Sequence, residues 1–258
     1  MAQMTEVVAQ IADLLRNSRH AVAFTGAGIS TPSGIPDFRS TASGLWTTTS
    51  VNPMDVASIN GFRQNPKAFY DWIYPLLSVI QHAEPNPAHD ALAQFESMGL
   101  LHAVITQNID NLHKVAGSQQ VLELHGHIRQ ATCTHCFQAF DAAPIIQKLL
   151  EDRTVPRCQD CRGVIKPDVV LYGEQLPFQV VQDARHQAEN ADLMIIIGSS
   201  LEVAPASDMP LLTLKKGHGK LVIINLSPTH LDHRAQVHVA CDAAQLLPDI
   251  LRRVEQSI

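Results

Sequence analysis

Four of the five cysteines carry the strongest chemical signal in the sequence. They form two C-x2-C pairs, Cys133 with Cys136 and Cys158 with Cys161, separated by residues 137–157. Paired knuckles of this kind are typical of a zinc ion bound by four thiolates, and they rarely arise among unrelated free thiols. Because four protein ligands close the coordination shell, we expect this zinc to be structural. The fifth cysteine, at position 241, is expected to be a small buried residue.

A glycine-rich turn is the second candidate for binding chemistry. The sequence G-A-G-I-S, residues 26–30, follows the short apolar run Ala21–Thr25. Gly26 and Gly28 would let the backbone approach a pyrophosphate, and the turn could present N–H groups to it. Thr31 replaces the third glycine of the dinucleotide fingerprint, and no acid stands on a second strand about 20 residues further on. The turn alone is therefore a weak indication.

Polar residues also close two other apolar runs. Gly198, Ser199 and Ser200 follow the run that begins at Leu193, and Asn225 closes a later run. In open α/β sheets, ligands bind beyond the carboxyl ends of the strands. Together with the glycine-rich turn, these strand ends favour a dinucleotide site.

Amides, a carboxylate and a histidine form a third group. The sequence T-Q-N-I-D follows another apolar run and supplies Gln107, Asn108 and Asp110. His125 comes shortly before the cysteine-rich region, and the ordinary pKa of histidine suits a base near neutral pH. Because the chain contains 13 histidines, composition alone favours a structural role for His125.

The elements that must position these residues alternate along the chain. Continuous apolar strands separated by helices indicate an α/β fold, a Rossmann-like, doubly wound parallel sheet buried on both faces. The region around residues 128–167 lacks this pattern and holds four cysteines, so we expect it to be an insertion. The predicted strands are Ala21–Thr25, Leu101–Thr106, Val169–Tyr172, Leu193–Gly198, Leu221–Asn225 and Val237–Ala240. The predicted helices are 4–16, Pro66–Ile80, Pro87–Met98, Phe178–Asn190 and Asp242–Val254.

Composition excludes several classes of protein. The chain has 258 residues, which suits one domain with an insertion, and its net charge of −6 argues against a dedicated nucleic-acid binder. No apolar run approaches the length of a membrane span, and the N-terminus does not resemble a signal peptide. An odd number of cysteines without such a peptide argues against a disulfide framework. We therefore expect a soluble cytoplasmic protein, monomeric, with no membrane or nucleic-acid partner.

Seven motifs in order resemble the sirtuins, which are NAD-dependent protein-lysine deacylases, and the compact length is similar to that of bacterial and archaeal members. Order and spacing match over about residues 5–255. The motifs are G-A-G-I-S, G-I-P-D-F-R (Gly34–Arg39), T-Q-N-I-D, L-H-G, the paired C-x2-C, Y-G-E (Tyr172–Glu174) and G-S-S-L (Gly198–Leu201).

The resemblance implies two domains with the cofactor between them. Residues 1–40, 85–127 and 168–258 would form the large NAD-binding Rossmann-like domain. Residues 41–84 would form the helical part of the small domain, and 128–167 its zinc-binding part. The zinc would be structural, and NAD would be a co-substrate that the reaction consumes.

The resemblance also implies a role for each matching residue. His125 would be the general base, with Asn108 as a second catalytic residue. The cofactor would be bound by Gly26, Ala27, Gly28, Thr31, Phe38, Arg39, Gln107, Ile109, Asp110, Gly198, Ser199, Ser200, Asn225 and Asp242. The acyl-lysine peptide would lie along Val169, Val170, Leu171, Gly173 and Glu174. The zinc ligands would be Cys133, Cys136, Cys158 and Cys161.

The reaction that the resemblance implies runs in two stages. The acetyl-lysine carbonyl oxygen attacks the ribose carbon that bears nicotinamide, and nicotinamide leaves. His125 then deprotonates a ribose hydroxyl, which attacks the acyl-derived carbon of the attached intermediate. Water completes the reaction and releases free lysine and O-acetyl-ADP-ribose. The partners would be proteins that carry acetylated lysines.

One departure bears on the acyl group. Family members that remove acidic acyl groups carry a tyrosine followed three residues later by an arginine. Here Tyr70 fits the first position, but Ile73 occupies the second. A succinyl carboxylate would be buried without a partner, which is costly. We therefore expect acetyl and apolar acyl groups as substrates, with little desuccinylation.

Three alternatives remain open. The same fold could transfer ADP-ribose to another acceptor or hydrolyse NAD. It could also be a zinc-stabilised NAD sensor or scaffold without turnover. A dehydrogenase with a structural zinc is a third alternative, although the missing third glycine and the missing acid argue against it.

Overall fold

A computed structural model describes residues 2–38, 44, 51–215 and 217–256. Its main element is a parallel sheet of six strands in the order β3-β2-β1-β7-β8-β9. The strand order reverses at β1, next to β7, which is the switch point of a doubly wound sheet. These strands are β1 (Ala21–Thr25), β2 (Ala103–Thr106), β3 (Val121–Glu123), β7 (Leu193–Ile197), β8 (Lys220–Ile224) and β9 (Val237–Val239).

Helices cover both faces of this sheet. Apolar residues of α1, α5 and α10 pack on one face, and those of α8 and α9 pack on the other. The central strands are therefore buried on both faces, which explains why they read as continuous apolar runs. The helices are α1 (Ala2–Asn17), α2 (Pro53–Val56), α3 (Ile59–Gln64), α4 (Pro66–Ile80), α5 (Pro87–Ser97), α6 (Leu112–Val115), α7 (Ala142–Asp152), α8 (Phe178–Asn190), α9 (Met209–Leu214) and α10 (Ala243–Glu255).

A second, antiparallel sheet contains the cysteines. Its strands are β4 (Gly126–Cys133), β5 (Ala139–Asp141) and β6 (Ile165–Val169), in the order β5-β4-β6. We call residues 126–169 the zinc module. Buried side chains of α3 and α4, such as Phe62 and Phe69, form one apolar cluster with Leu149 of α7 and Val169.

Local sequence explains where α4 begins. The side-chain oxygen of Asn65 accepts a hydrogen bond from the Ala68 N–H at 3.2 Å, and Pro66 occupies the first turn. Helices α4 and α8 have the predicted bounds, and the predicted parallel sheet is confirmed. Among the described residues, none of the helices combines the length and the apolar character that crossing a membrane requires.

The predicted strand Val169–Tyr172 is wrong. Val169 ends β6 of the small sheet, and the residues after it run between two other segments. The Val170 N–H donates to the carbonyl of His125, and the Tyr172 N–H donates to the carbonyl of Ala57. Val169 and Leu171 are buried, and Val170 and Tyr172 are half-buried. Partial burial by such contacts also favours an apolar run in the sequence.

Candidate active site

The four cysteines of the two knuckles come together in the structure. Their Sγ atoms all lie within 4.8 Å of one another. Cys133 lies 3.4 Å from Cys161, and Cys136 lies 3.7 Å from Cys158. Four thiolates about 2.3 Å from a tetrahedral zinc would stand about 3.8 Å apart. The donor set and its spacing therefore fit one structural zinc ion.

Both knuckles have the same backbone turn. Phe137 donates its N–H to the carbonyl of Cys133, and Arg162 donates its N–H to the carbonyl of Cys158. Both donors have positive φ, 61° and 62°. Gly163 lies against the cluster, because a Cβ there would stand 2.8 Å from the Cys133 sulfur. Two equivalent turns therefore present the thiolates.

A cavity of about 840 Å³ opens where the parallel strands end. We call it the central cavity. It extends from the carboxyl ends of β1, β2, β7 and β8 to the segment after β6 and to α4. Most of the predicted cofactor, catalytic and substrate residues line it: Ala27, Gly28, Thr31, Phe38, Gln107, Asn108, Ile109, Asp110, His125, Val169, Val170, Leu171, Gly173, Glu174, Gly198, Ser199, Ser200, Asn225 and Asp242. Arg39 lies outside the described residues.

The glycines after β1 and β7 pack two loops against each other. The Gly26 N–H donates to the carbonyl of Ile197 at 3.0 Å, and the Gly28 N–H donates to that of Gly198 at 2.8 Å. A Cβ on Gly28 would stand 2.8 Å from the Gly198 Cα. The prediction that the turn after these glycines presents N–H groups to a phosphate stays a prediction, although the N–H groups of Gly26 and Gly28 themselves are already used. Their contribution to cofactor binding stays a prediction.

The loop after β2 is fixed through Ser30. Its hydroxyl donates to Asp110 Oδ2 at 2.7 Å and accepts from Asn108 Nδ2 at 3.1 Å. Asn108 Nδ2 also donates to the Gly26 carbonyl at 3.2 Å. Burial raises the pKa of Asp110, and hydrogen bonds from the Leu112 N–H and from Ser30 oppose that rise. An amide and a carboxyl group are thus held in fixed orientations at the cavity.

Gln107 offers an unused donor to a ligand. Its Oε1 accepts a hydrogen bond from the Ser199 hydroxyl at 3.2 Å. Its Nε2 is buried and has no hydrogen-bond partner among the described residues. A buried donor without a partner is unfavourable, and a bound ligand with an acceptor group removes that cost. The residues at these strand ends therefore fit a polar cofactor such as NAD.

His125 lies between the two sheets, after β3 and directly before β4. Its Nδ1 is 3.0 Å from the carbonyl oxygen of Gln107. Because a carbonyl only accepts, Nδ1 must carry the proton, which leaves Nε2 as the acceptor. Burial lowers the pKa of His125, and the hydrogen bond to Gln107 partly opposes this. The imidazole is therefore neutral at neutral pH, as a general base requires.

The residues predicted at the adenosine end follow β8 and β9. Asn225 is buried, and its Nδ2 donates to the Ser227 carbonyl. Asp242 accepts from the Ala244 N–H at 2.8 Å and so caps α10. Cys241 beside it is half-buried and lines the cavity, so the expectation of a buried small residue is wrong.

The predicted substrate segment is held from inside the protein. Glu174 Oε2 accepts from the Leu171 N–H at 2.8 Å and lies 3.0 Å from Lys166 Nζ. Lys166 Nζ also donates to the Val169 carbonyl at 2.7 Å. The Glu174 carboxylate therefore closes the turn of residues 171–174.

The part of the cavity near α4 is apolar. Ile73, Phe38 and Val170 line it. Tyr70 instead lies at a separate small cavity, and its hydroxyl donates to the Ile165 carbonyl at 2.5 Å. The tyrosine that matches the acidic-acyl pattern is therefore directed elsewhere.

Sequence reasoning missed one part of the lining. Residues 202–205, after the G-S-S-L motif, also line the cavity and include a cis Ala204–Pro205 bond. Leu201 before them has a φ of 57°. The proline after the motif marks a turn, and it was the available signal. Ser30 was also missed, although it belongs to G-A-G-I-S.

The fold and site define a Rossmann-like protein with a four-cysteine cluster. The Sir2 family model matches residues 26–205. The chain is 42% identical to "NAD-dependent protein deacylase 2" of Archaeoglobus fulgidus, over 98% of both chains. It is also 42% identical to "NAD-dependent protein deacetylase" of Sulfolobus acidocaldarius, over 98% of this chain and 97% of that relative. A solved structure of Sir2 with a p53 peptide and NAD+ superposes with a TM-score of 0.84 at 42% identity, covering 96% of this chain and 97% of that one.

The chain belongs to the Sir2 family. The predicted family and the α/β fold with a four-cysteine cluster are confirmed.

Proposed function

We propose that this chain is an NAD-dependent protein-lysine deacylase that removes acetyl or other apolar acyl groups. Its products would be nicotinamide, O-acetyl-ADP-ribose and free lysine. One observation carries the proposal: His125 has its Nδ1 proton committed to Gln107, and it lines the same cavity as the strand ends and the segment after β6. The names of the relatives support the same activity.

In this proposal NAD binds along the carboxyl ends of the parallel strands, with its nicotinamide end at Gln107, Asn108, Ile109 and Asp110. The unpartnered Nε2 of Gln107 supports a ligand acceptor there. The adenosine end lies at Ser199, Asn225 and Asp242. The remaining predicted cofactor residues keep their roles as proposals: Gly26, Ala27, Gly28, Thr31, Phe38, Arg39, Gly198 and Ser200.

His125 acts through Nε2 in this proposal. With Nδ1–H donating to Gln107, Nε2 accepts the proton of a ribose hydroxyl. Asn108 is the second catalytic residue, and its amide is oriented by Gly26 and Ser30. The zinc bound by the four cysteines maintains the fold of the zinc module and takes no part in the chemistry.

The proposed partner is a protein that carries an acetylated lysine. Its peptide lies along Val169, Val170, Leu171, Gly173 and Glu174, where main-chain pairing gives affinity with little sequence selectivity. The solved structure of Sir2 with a p53 peptide and NAD+ supports a peptide substrate. Ile73 and Val170 make the acyl end apolar, which favours uncharged acyl groups.

The division into domains is also a proposal. Residues 1–40, 85–127 and 168–258 form the large domain, and 41–84 with 128–167 form the small one. The shared apolar cluster of α3, α4 and α7 supports grouping the last two ranges. The monomeric state, the cytoplasmic location and the absence of nucleic-acid and membrane partners remain predictions from the sequence.

Product analysis tests the proposal. The purified chain is incubated with an acetyl-lysine peptide, with and without NAD, and the products are identified by mass spectrometry. We expect deacetylated peptide and O-acetyl-ADP-ribose only when NAD is present. Deacetylation without NAD, or NAD consumption that yields free ADP-ribose and unchanged peptide, would contradict it.

A further inference from the structure

Arg129 of β4 joins two segments that carry the active site. Its guanidinium donates to Glu123 in a bidentate pair, at 2.6 Å to Oε1 and 2.5 Å to Oε2. Nη1 also donates to Asn111 Oδ1 at 2.7 Å. The planar fork of arginine suits such a three-bond contact, and lysine cannot reproduce it.

Both partners of Arg129 adjoin residues of the proposed chemistry. Glu123 ends β3 two positions before His125, and Arg129 lies four positions after it. Asn111 directly follows Asp110 in the loop proposed to hold nicotinamide, and its φ is 68°. One guanidinium therefore spans from the segment of the base to the end of the nicotinamide loop.

The Glu123 carboxylate is shielded from solvent and faces two cations. The Glu123 side chain is 8% exposed and that of Arg129 31% exposed. Lys114 Nζ also lies 3.3 Å from Glu123 Oε2. Burial would raise the pKa of Glu123, but bonds and charges from Arg129 and Lys114 lower it below its ordinary value. Glu123 is thus ionised at neutral pH.

We propose that Arg129 is a positioning residue that keeps His125 and the nicotinamide loop in their relative placement. This inference rests on the proposed deacylase function. Small misplacements of reacting groups are expensive in rate, because reaction requires near-attack geometry. Arg129 touches neither cofactor nor substrate in this proposal, so its effect must act through the two segments it connects.

Two rates report on the two segments separately. Exchange of labelled nicotinamide into NAD, in the presence of acetyl-lysine peptide, needs only the stage before His125 acts. Deacetylation needs both stages. The variants are Arg129→Gln, Glu123→Gln and Asn111→Gly, where glycine keeps the positive φ. The matched control is Arg185→Gln, which removes an exposed arginine from an ion pair on α8.

We expect Arg129→Gln to lower kcat for both reactions about tenfold, with KM for the peptide within about twofold. Glu123→Gln should slow deacetylation more than exchange, and Asn111→Gly should slow exchange and deacetylation together. Adding Asn111→Gly to Arg129→Gln should have little further effect, because the two changes break one contact. Arg129→Lys should recover less than half of the rate that Arg129→Gln loses. The control should leave both rates unchanged.

Both rates of Arg129→Gln within about twofold of the unaltered chain would overturn the proposal. Rate losses that add fully in the double variant would also overturn it. So would rate losses that follow the melting temperature alone and vanish when the assay is run well below that temperature. If the unaltered chain shows neither exchange nor deacetylation, the proposed function fails first, and the role of Arg129 falls with it. Loss confined to the variants separates the two cases.

Discussion

The zinc ligands and the residues of the central cavity reach their positions by different routes. Two short turns, each closed within a few residues, present the four thiolates. The cavity instead combines strand ends from residue 27 to residue 243, which only the whole sheet brings together. The buried apolar cluster around the cysteines contains Ala131, Ala142 and Ile165 besides two ligands, whereas the sheet has extensive apolar clusters on both faces. The zinc module should therefore depend on its metal, and the cavity should depend on the sheet.

The largest expected effect breaks the zinc module. Cys158→Ala removes a buried ligand, and the apparent free energy of structural zinc sites is about 10–16 kcal/mol at neutral pH. We expect zinc to be lost and the module to unfold, seen as a zinc content near zero by elemental analysis and a large fall in melting temperature.

Cys241→Ser is the matched control, because Cys241 lies outside the cluster. It should keep one zinc per chain. An unchanged melting temperature in Cys158→Ala would show that the module does not need its metal.

The second effect removes chemistry and leaves the fold. His125→Ala should slow deacetylation by about 10²–10⁴-fold, the usual contribution of a general base. The half-buried ring donates a hydrogen bond to the Gln107 carbonyl, and losing this single contact should change the melting temperature little. Nicotinamide exchange should persist, because it precedes the base step.

The pH profile of the unaltered chain supplies the control for His125. Because burial lowers the pKa of His125, the neutral base predominates at neutral pH. Activity should be constant through neutral pH and fall as the pH drops through a value below about 6.5. An acid limb centred above that value would contradict the assignment.

These two regions also show how far the sequence predicts the structure. The knuckles were predictable because their ligands are local and their spacing is specific. The hydrogen-bond partners of Gly26 and Gly28 were not predictable, because their N–H groups donate to carbonyls about 170 residues away in the chain, at 197 and 198. The sequence predicted a strand at Val169–Tyr172 because contacts with residues 57 and 125 bury that segment as a sheet would. Ser30 at the centre of the loop network has no sequence pattern of its own.

The third effect concerns two buried histidines, His89 and His113, whose ring centroids lie 4.9 Å apart. Burial lowers the pKa of His89 to about 4, and that of His113 well below its ordinary value. As the pH falls, these histidines therefore bind protons in the unfolded chain before they do so in the folded chain. The stability that these neutral histidines contribute should be fully present above about pH 6.5 and should fall toward pH 4. The loss in free energy of unfolding from His89 should be about 3 kcal/mol at most. Urea unfolding at several pH values measures it.

His89→Gln should flatten that dependence by the share that His89 contributes. His186→Gln, on an exposed helix position, should leave it unchanged. An identical pH dependence in His89→Gln would mean that the buried imidazole is not linked to stability in this way.

The smallest effect concerns the loop junction, the contact between the loops after β1 and β7 at Gly28 and Gly198. Gly28→Ala places a Cβ 2.8 Å from the Gly198 Cα, and overpacking of this kind costs about 1–3 kcal/mol. We expect a higher KM for NAD with a modest change in melting temperature. Gly99→Ala, at positive φ in open space, should lower the melting temperature without changing that KM. Equal KM values for NAD in the unaltered chain and both variants would show that the junction does not contribute to cofactor binding.

In the proposed function, NAD is consumed only when a lysine is deacylated. The most direct measurement is nicotinamide release from NAD, with and without acetyl-lysine peptide, alongside the amount of deacetylated peptide. We expect release that requires the peptide and equals deacetylated peptide mole for mole. Release at the same rate without peptide would contradict it and identify NAD hydrolysis or ADP-ribosyl transfer, and binding of NAD without release would identify a sensor or scaffold.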